Sequence, residues 1–256
     1  MKDLRHIIRR MGFVRDQEGI MNRYLREHSG WEVHLKRTRS FIETSFSQGS
    51  VGSVAILGSG WLLDVPLENL TRRFDRVFLA DIHHPPQIRR KVRDLKQVEL
   101  VTADLSGGAV HQLWELHRQK KLHTNASWPG DITLEPPLAH LETDAYVSVN
   151  LLNQLDIMLC DFLRRHGYFK LAAPDGFRKM IQSFHLEWIT RKPGCLITDT
   201  TEFNLDREGN ESARGLLYTE LPSGFRSEQW DWEFDTMKTY RPGNRTRMRV
   251  RAVEWA

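Results

Sequence analysis

The stretch VAILGSGWLLD, residues 54–64, decides how the rest of the chain is interpreted. Four apolar residues, typical of a buried strand, lead directly into Gly58-Ser-Gly60. Glycine is preferred wherever the backbone needs a positive φ, so Gly-x-Gly occurs both in cofactor-binding turns and in ordinary corners. The interpretation therefore depends on the residues that come later in the chain.

The composition is that of an ordinary globular protein. The 256 residues are 40% hydrophobic and 27% charged. With 37 basic and 33 acidic side chains, the net charge is +4. A charge of this size permits an acidic partner without requiring one. Cys160 and Cys195 form no Cys-x-x-Cys pair, which disfavours a disulfide scaffold or a zinc knuckle. No stretch approaches the roughly 20 apolar residues of a membrane span, so we expect a cytoplasmic protein without membrane association.

Short apolar runs alternate with helical segments from residue 50 onward. This alternation predicts an α/β fold with a doubly wound, mostly parallel sheet that is buried on both faces. The five predicted parallel strands are Val54–Leu57, Arg76–Ala80, Val98–Thr102, Ala145–Val149 and Cys195–Thr198.

The last part of the chain has a different pattern. Residues 229–237 and 245–253 each alternate between apolar and charged side chains, and the turn sequence Tyr-Arg-Pro-Gly-Asn lies between them. They predict a C-terminal antiparallel hairpin, which brings the sheet to seven strands.

The arginines of this hairpin allow two interpretations. They could contact nucleic acid. The facing strand, however, carries an acid at every second residue, on the face opposite to its aromatic residues. Cross-strand ion pairing is the simpler use, and we favour it. The residues concerned are Arg245, Arg247, Arg249 and Arg251, facing Asp231, Glu233 and Asp235.

Residues 1–48 predict an N-terminal helical extension that precedes one domain at residues 49–256. Apolar residues at helical spacing, among them Ile20, Tyr24 and Leu25, indicate two or three short helices. The many basic side chains could form a nucleic-acid face. A helical layer over a sheet also needs a solvated side, however, and we favour that use of them.

Acidic residues come directly after the second and third predicted strands. Asp81 is 23 residues after Gly58, and Asp104 is 23 residues after Asp81. The carboxyl ends of parallel strands meet at one edge of the sheet, where ligands bind. Asp81 is placed to accept hydrogen bonds from ribose hydroxyls, and Asp104 from the exocyclic amino group of adenine. The alternative, that both acids only cap loops, is less favoured.

The second half of the opening stretch disfavours a dinucleotide ligand. The fingerprint G-x-G-x-x-G needs a third glycine for close packing of helix on strand, and Leu62 and Leu63 stand there instead. A ligand with an adenosine but no phosphate fits better, and S-adenosylmethionine is the obvious one.

Together, these motifs resemble the class I (Rossmann-like) S-adenosylmethionine-dependent methyltransferases. The resemblance covers residues 50–256 and is carried by VAILGSG, VFLADI, ELVTADL, DAYVSVNLLNQL and GCLITD. The chain departs from the family pattern before the first glycine, where Ile56 and Leu57 replace an acid, so Asp64 could take over contact with the methionyl amino group. The resemblance implies S-adenosylmethionine as cofactor, bound by Gly58, Ser59, Gly60, Asp64, Asp81, Ile82, Asp104, Leu105 and Asn150.

Methyl transfer requires alignment of the reactants, exclusion of water and, for oxygen or nitrogen nucleophiles, removal of a proton. At the end of the fourth predicted strand, Asn150 and Asn153 are candidates for positioning the acceptor, but neither is a base at neutral pH. His185 and the pair His83-His84 are more typical of core and loop histidines than of catalysts. The sequence therefore predicts no clear general base.

A metal site is not expected. Asp199, at the end of the fifth run, and Asn150 could both offer oxygen ligands. Two isolated oxygen ligands are too few for an octahedral site.

The sequence thus predicts a methyltransferase with a small-molecule acceptor, and it leaves the oligomeric state open. Methylation of DNA bases is disfavoured because Asn150 is followed by Leu-Leu-Asn and not by Pro-Pro-Tyr. One alternative is an RNA or protein methyltransferase that uses the basic N-terminal region. A second is a non-catalytic cofactor-binding or regulatory protein of the same fold. A third, a nicotinamide-dependent oxidoreductase, is disfavoured by the missing third glycine.

Overall fold

The computed structural model describes residues 2–46, 52–122, 130–168 and 174–256. The helices are α1 (Lys2–Met11), α2 (Phe13–Thr44), α3 (Leu67–Arg73), α4 (Pro86–Val92), α5 (Ala109–Arg118), α6 (Gln154–Arg165) and α7 (Asp175–Ile189). The strands are β1 (Ser53–Leu57), β2 (Arg76–Asp81), β3 (Val98–Thr102), β4 (Ala145–Val149), β5 (Gly194–Leu205), β6 (Glu211–Gly215), β7 (Arg226–Asp235) and β8 (Arg245–Trp255). None of the helices in these ranges has both the length and the apolar character needed to cross a lipid bilayer.

These strands form one sheet in the order β3-β2-β1-β4-β5-β8-β7, with β6 paired to the far end of β5. Strands β1 to β5 are parallel, whereas β8 is antiparallel to both of its neighbours. This doubly wound, mostly parallel sheet with a C-terminal antiparallel hairpin confirms the predicted fold class. The sheet has one strand more than the seven predicted, because β6 is exposed at every residue and has no apolar run to reveal it.

Helices cover both faces of the parallel part of the sheet. β1 is buried at all five positions, as a strand covered on both faces must be. Ala55 and Leu57 pack in a hydrophobic cluster with side chains of α1, α5, α6 and α7. Val54 and Ile56 pack in a second cluster with side chains of α2, α3 and α4. The period of two along the strand therefore divides the core into two layers.

The N-terminal residues form two helices that join different layers of the core. Ile7 and Met11 of α1 are buried in the first cluster, and Trp31 and Phe41 of α2 are buried in the second. The sequence predicts two or three short helices here, whereas α2 is a 32-residue helix with a non-helical backbone at Glu27. The predicted boundary between residues 48 and 49 falls outside the described residues, so the division into an extension and a domain stays a prediction.

The hairpin of β7 and β8 contains cross-strand ion pairs for three of the four arginines predicted to form them, whereas Arg251 Nη2 lies 3.4 Å from Ser227 Oγ. Arg249 Nε lies 3.1 Å from Asp231 Oδ1, and Arg247 also pairs with Asp231. Arg245 Nη2 lies 3.0 Å from Glu233 Oε2. These three arginines are therefore engaged with acids of the sheet itself.

One acid of the hairpin lies on the face opposite to the one predicted. The register shifts between Glu233 and Asp235, so Asp235 is buried and accepts a hydrogen bond from the backbone N–H of Tyr240 at 2.7 Å. A β-bulge adds one residue to its strand and thereby reverses the face on which the next side chain lies.

Candidate functional site

The carboxyl ends of the central strands border a cavity of about 270 Å³. β1 has β2 on one side and β4 on the other, so the chain leaves β1 and β4 in opposite directions and opens a crevice between them, the usual ligand site of such sheets. Every residue that the sequence predicts for the site lines this cavity: Gly58, Ser59, Gly60, Asp64, Asp81, Ile82, Asp104, Leu105, Asn150 and Asn153.

The turn after β1 requires glycine at its first position. Gly58 has φ +80°, and a Cβ there would lie 2.9 Å from the carbonyl oxygen of Val149 and 3.0 Å from Leu151 Cβ. Gly60 also has a positive φ, of +43°. The turn is not followed directly by a helix, because α3 begins only at Leu67. Gly58 therefore allows close approach of β1 and β4, and the turn does not start a helix.

Asp81, at the end of β2, holds this turn. Its Oδ2 accepts a hydrogen bond from the backbone N–H of Gly60 at 2.7 Å, and its Oδ1 accepts one from the N–H of His83 at 3.3 Å. Burial raises the pKa of Asp81 to about 6, although the backbone donors act in the opposite direction. A carboxylate has about four lone-pair positions, so Asp81 keeps capacity for further donors.

Asp104, beyond the end of β3, caps the start of α5. Its Oδ2 accepts a hydrogen bond from the N–H of Val110 at 2.9 Å, and its Oδ1 accepts bonds from the N–H and hydroxyl of Ser106. Burial is the main cause that raises the pKa of Asp104. Asp104 therefore performs the loop-capping role that is less favoured on sequence grounds, and it also lines the cavity.

Asp64 and Asn150 form one hydrogen-bonded group with His34 of α2. Asn150 Nδ2 donates to Asp64 Oδ2 at 2.7 Å and lies 3.2 Å from His34 Nε2. His34 Nδ1 accepts a hydrogen bond from the indole N–H of Trp230 at 3.1 Å. Burial raises the pKa of Asp64 and lowers the pKa of His34 to about 3. His34 is therefore neutral at physiological pH and provides no positive charge for Asp64.

Asp199 is a further buried carboxyl group that lines the cavity. It lies in β5 just before a register shift and is only 5% exposed. Its Oδ1 has no hydrogen-bond partner. Burial is the main cause that raises its pKa to about 7; nearby Asp64 and Glu202 act in the same direction, and a hydrogen bond from Asn153 acts against them. Asp199 can therefore gain or lose a proton near neutral pH.

Buried polar atoms without partners concentrate at this cavity. Over the described part of the chain, thirteen buried side-chain nitrogen and oxygen atoms lack a hydrogen-bond partner, and six of them belong to residues that line the cavity. Buried polar atoms of folded proteins are normally paired, so this concentration is typical of a binding site. The six atoms are Arg23 Nε, Ser59 Oγ, Asn150 Oδ1, Asn153 Oδ1, Asp199 Oδ1 and Trp232 Nε1.

Helix α2 is tied to the loops that surround the cavity. The indole N–H of Trp61 donates to the carbonyl oxygen of Gln17 at 2.7 Å, and Gln17 Nε2 donates to the carbonyl oxygen of His83 at 3.0 Å. Arg39 donates to the carbonyl oxygen of Leu63. The loops after β1 and β2 are thus both attached to α2.

One part of the cavity, the aromatic compartment, is lined by Trp31, Trp232, Phe234 and Tyr240. The guanidinium carbon of Arg23 lies 4.8 Å from the centre of the Phe234 ring and 4.9 Å from that of Tyr240. Desolvation is the main cause that lowers the pKa of Arg23. Such a compartment can receive an apolar or planar group together with an anionic one.

The histidines that the sequence suggests as bases do not line the cavity. His185 is fully buried with Nε2 2.9 Å from Ser148 Oγ, and burial lowers its pKa to about 3. His84 Nε2 lies 3.1 Å from the carbonyl oxygen of Val101 in the interior. Within the described ranges, no group of three or more His, Cys, Asp or Glu side chains is arranged to hold a metal ion.

Three side chains of the site are not predicted from the sequence. The position of Asp199 could have been recognised from the sequence, because it follows the fifth apolar run as Asp81 follows the second. The sequence suggests Asp199 only as a metal ligand. No sequence pattern identifies His34 and Arg23 as site residues, because their position at the cavity depends on how α2 packs on the sheet.

No protein-family model and no curated protein matches the chain. Among the solved structures similar to it is the DhpI–SAH complex, with 14% identity, coverage of 91% of this chain and 87% of that chain, and a TM-score of 0.31. An S-adenosylmethionine-dependent methyltransferase from Mesorhizobium loti has 13% identity, coverage of 84% and 95%, and a TM-score of 0.32. The 23S rRNA methyltransferase ErmE has 14% identity, coverage of 86% and 68%, and a TM-score of 0.32.

The fold can be identified from the topology of the chain itself. The strand order reverses at β1 and β4, the cavity lies at their carboxyl ends, and the last two strands form an antiparallel hairpin. By these features, the chain has a doubly wound, Rossmann-like fold with a C-terminal antiparallel hairpin.

Proposed function

We propose that this protein is an S-adenosylmethionine-dependent methyltransferase that acts on a small molecule. The proposal is supported above all by the convergence of the ten predicted site residues on one cavity at the strand switch. That cavity also holds the concentration of unpartnered buried polar atoms, as a site built for a polar ligand would.

The residues at the strand ends suit such a cofactor. Asp81 would accept hydrogen bonds from the ribose hydroxyls while it holds Gly60, and Leu105 would offer an apolar contact to the adenine ring. Asp64 and Asn150 would hold the methionyl end, where their amide and carboxyl groups already lie together. When bound, S-adenosylmethionine supplies a reactive methyl group on a positively charged sulfur.

The same turn does not suit a dinucleotide. A pyrophosphate is held by the N-terminus of the helix that directly follows the first strand. In this chain β1 ends at Leu57 and α3 begins at Leu67, so a nine-residue loop separates them. The buried side chain of Leu62, at φ +56°, lies in this loop.

A small acceptor suits the cavity better than a macromolecule. α2 is bonded to the loops after β1 and β2 through Trp61 and Gln17, and it covers the cavity on that side. The aromatic compartment with Arg23 would receive an apolar or planar acceptor that bears a carboxylate or phosphate group. Three of the four hairpin arginines that could have contacted nucleic acid, Arg245, Arg247 and Arg249, are paired with acids.

Isothermal titration calorimetry tests the proposed function without knowledge of the acceptor. We expect S-adenosylhomocysteine to bind the full chain with a micromolar Kd, and NAD⁺ to give no measurable heat under the same conditions. Adenosine, as the shared fragment of both compounds, should bind more weakly than S-adenosylhomocysteine. Failure of S-adenosylhomocysteine to bind, or tighter binding of NAD⁺, would overturn the proposal.

A further inference from the structure

Asp64 and Asp199 are two carboxyl groups of the cavity without an ion pair in the described part of the chain. Arg39 of α2 acts to lower the pKa of Asp64, whereas no cation contributes to the pKa of Asp199. Asp64 and Asp199 lie close enough for Asp64 to raise the pKa of Asp199. His34, which contacts the same group of side chains, is neutral. The other titratable side chains that line the cavity are Asp16, Arg23, Asp81, Asp104 and Tyr240.

The two carboxyl groups differ in how completely they are bonded. Asp64 Oδ2 accepts a hydrogen bond from the amide of Asn150 at 2.7 Å. Asp199 has a contact from the Asn153 side chain, and its Oδ1 is unpartnered. Asp199 is therefore the carboxyl group with capacity left to accept a proton from a bound molecule.

Glu202 is the other acid that acts on Asp199, and its charge is already balanced. Glu202 Oε2 lies 2.6 Å from Arg214 Nη2, and its Oε1 lies 2.9 Å from Arg241 Nε. Glu202 and Asp199 are both buried, but in the described structure only Asp199 has no cation beside it. Burying a carboxyl group in this way destabilises the fold unless the group is protonated or a ligand compensates it.

We propose that Asp199 is the general base of methyl transfer, and that the nucleophile of the acceptor therefore carries a proton, as a hydroxyl or amino group does. This inference rests on the proposed function. Asp199 removes the proton as the acceptor's oxygen or nitrogen forms its bond to the methyl carbon. The electron pair of the broken carbon–sulfur bond stays on sulfur, and the proton stays on Asp199.

The charges of this step balance within the buried site. Before the step, ionised Asp199 accompanies one positive sulfur; after it, Asp199 is neutral and so is the thioether. A ligand that brings a positive charge favours the ionised form of a buried carboxyl group that has no protein cation. The pKa of about 7 for Asp199 lies in the range in which a general base is effective at physiological pH.

Proton exchange on cofactor binding tests this role without an acceptor. Calorimetry at pH 7 in phosphate and in Tris, which differ in ionisation enthalpy, gives the number of protons released. We expect S-adenosylmethionine to release up to about half a proton more than S-adenosylhomocysteine, because only its positive sulfur favours ionised Asp199. The affinity for S-adenosylmethionine relative to S-adenosylhomocysteine should also increase as the pH rises through about 7.

Two variants assign the proton to its residue. In Asp199→Asn, S-adenosylhomocysteine should bind within threefold of the wild-type affinity, and the difference in proton release should disappear. In Asp16→Asn, which removes a different cavity carboxyl whose pKa burial also raises, the difference should persist.

The possible failures point to different claims. Equal proton release for the two compounds in the wild type, or an unchanged difference in Asp199→Asn, would overturn the role of Asp199 while the proposed function stands. If neither compound binds the wild type, the proposed function itself fails.

Discussion

Asp81 shows how one side chain can serve both the fold and a ligand. Its carboxylate holds the turn through Gly60, and it faces a cavity in which it keeps free lone pairs. Burial raises its pKa to about 6, and the backbone N–H donors around it only partly oppose this shift. The residue is thus kept partly desolvated at the position where the proposed ribose would lie.

We expect Asp81→Ala to weaken S-adenosylhomocysteine binding at least tenfold, or about 1.4 kcal/mol. The substitution removes the acceptor for the ribose hydroxyls and the bond that holds Gly60. Calorimetry measures the change. Asp75→Ala is the matched control, because Asp75 is exposed at the opposite, amino end of β2. An unchanged affinity in Asp81→Ala would show that the ribose assignment is wrong.

Asp199 should reduce the stability of the protein at neutral pH. Its pKa of about 7 in the folded state is above the value of about 3.9 in an unfolded chain. Between these values the folded state binds more protons than the unfolded state, so this contribution to the free energy of unfolding falls as the pH rises, and the loss is complete above about pH 7. The same property that suits a general base therefore opposes folding.

We expect Asp199→Asn to raise the free energy of unfolding by roughly 1–3 kcal/mol at pH 8, and by less at pH 5. The amide has the same shape as the carboxyl group and carries no charge to bury. Urea unfolding of wild type and variant at the two pH values measures the difference. The contribution of Asp199 would have to be reconsidered if the difference between the two proteins did not change with pH.

At the scale of elements, the β7–β8 hairpin contains a group of charges that serves the sheet. Asp231 accepts from both Arg247 and Arg249, and Arg247 also pairs with Glu211 of β6. The guanidinium carbon of Arg247 lies 4.2 Å from the centre of the Phe203 ring. The arginines of β8 thus link the neighbouring strand β7 with β6, which lies on the other side of β5.

We expect the double variant Arg247→Glu, Arg249→Glu to lower the free energy of unfolding by about 1 kcal/mol, because it places like charges beside Asp231. Adding Asp231→Lys should restore part of that loss, and urea unfolding measures both changes. A filter-binding assay with RNA should detect no difference between wild type and variant. Salt-dependent RNA binding that the double variant abolishes would instead assign these arginines to a nucleic-acid interface.

The loop after β1 is a second element whose geometry affects function. Gly58 in this loop lets β1 and β4 approach closely, and the length of the loop moves α3 away from the cavity. The third glycine of the dinucleotide fingerprint is absent from the sequence, and this absence predicts that the turn does not bind a pyrophosphate. The hydrogen bond of Trp61 to α2 and the pairing of Asp64 with Asn150 could not be predicted, because their partners lie 44 and 86 residues away.

At the scale of the whole molecule, the cavity lies where the two ends of the chain meet over the central strands. Trp230 of β7 donates to His34 of α2 across 196 residues. The carboxylate of Glu27, at the irregular point of α2, accepts hydrogen bonds from the backbone N–H groups of Thr236 and Met237. The ring of Trp232 stacks on His34 with centroids 3.9 Å apart. These contacts fix α2, with Arg23 and His34, beside the proposed acceptor.

The sequence by itself determined the fold class and one side of the candidate site. Apolar runs of strand length specify buried strands, and Gly58, Asp81 and Asp104 come after those runs, so their meeting at one sheet edge results from parallel geometry. These signals are local in sequence, with a regular period and regular spacing.

Only the tertiary structure decided the other side of the site. Asp199 became a candidate base because folding buries it beside Asp64 with no cation in the described structure, and this burial is what raises its pKa. Arg23 and His34 reach the cavity only because α2 packs against β7. Desolvation and pairing depend on neighbours that are distant in sequence, and therefore no local pattern records them.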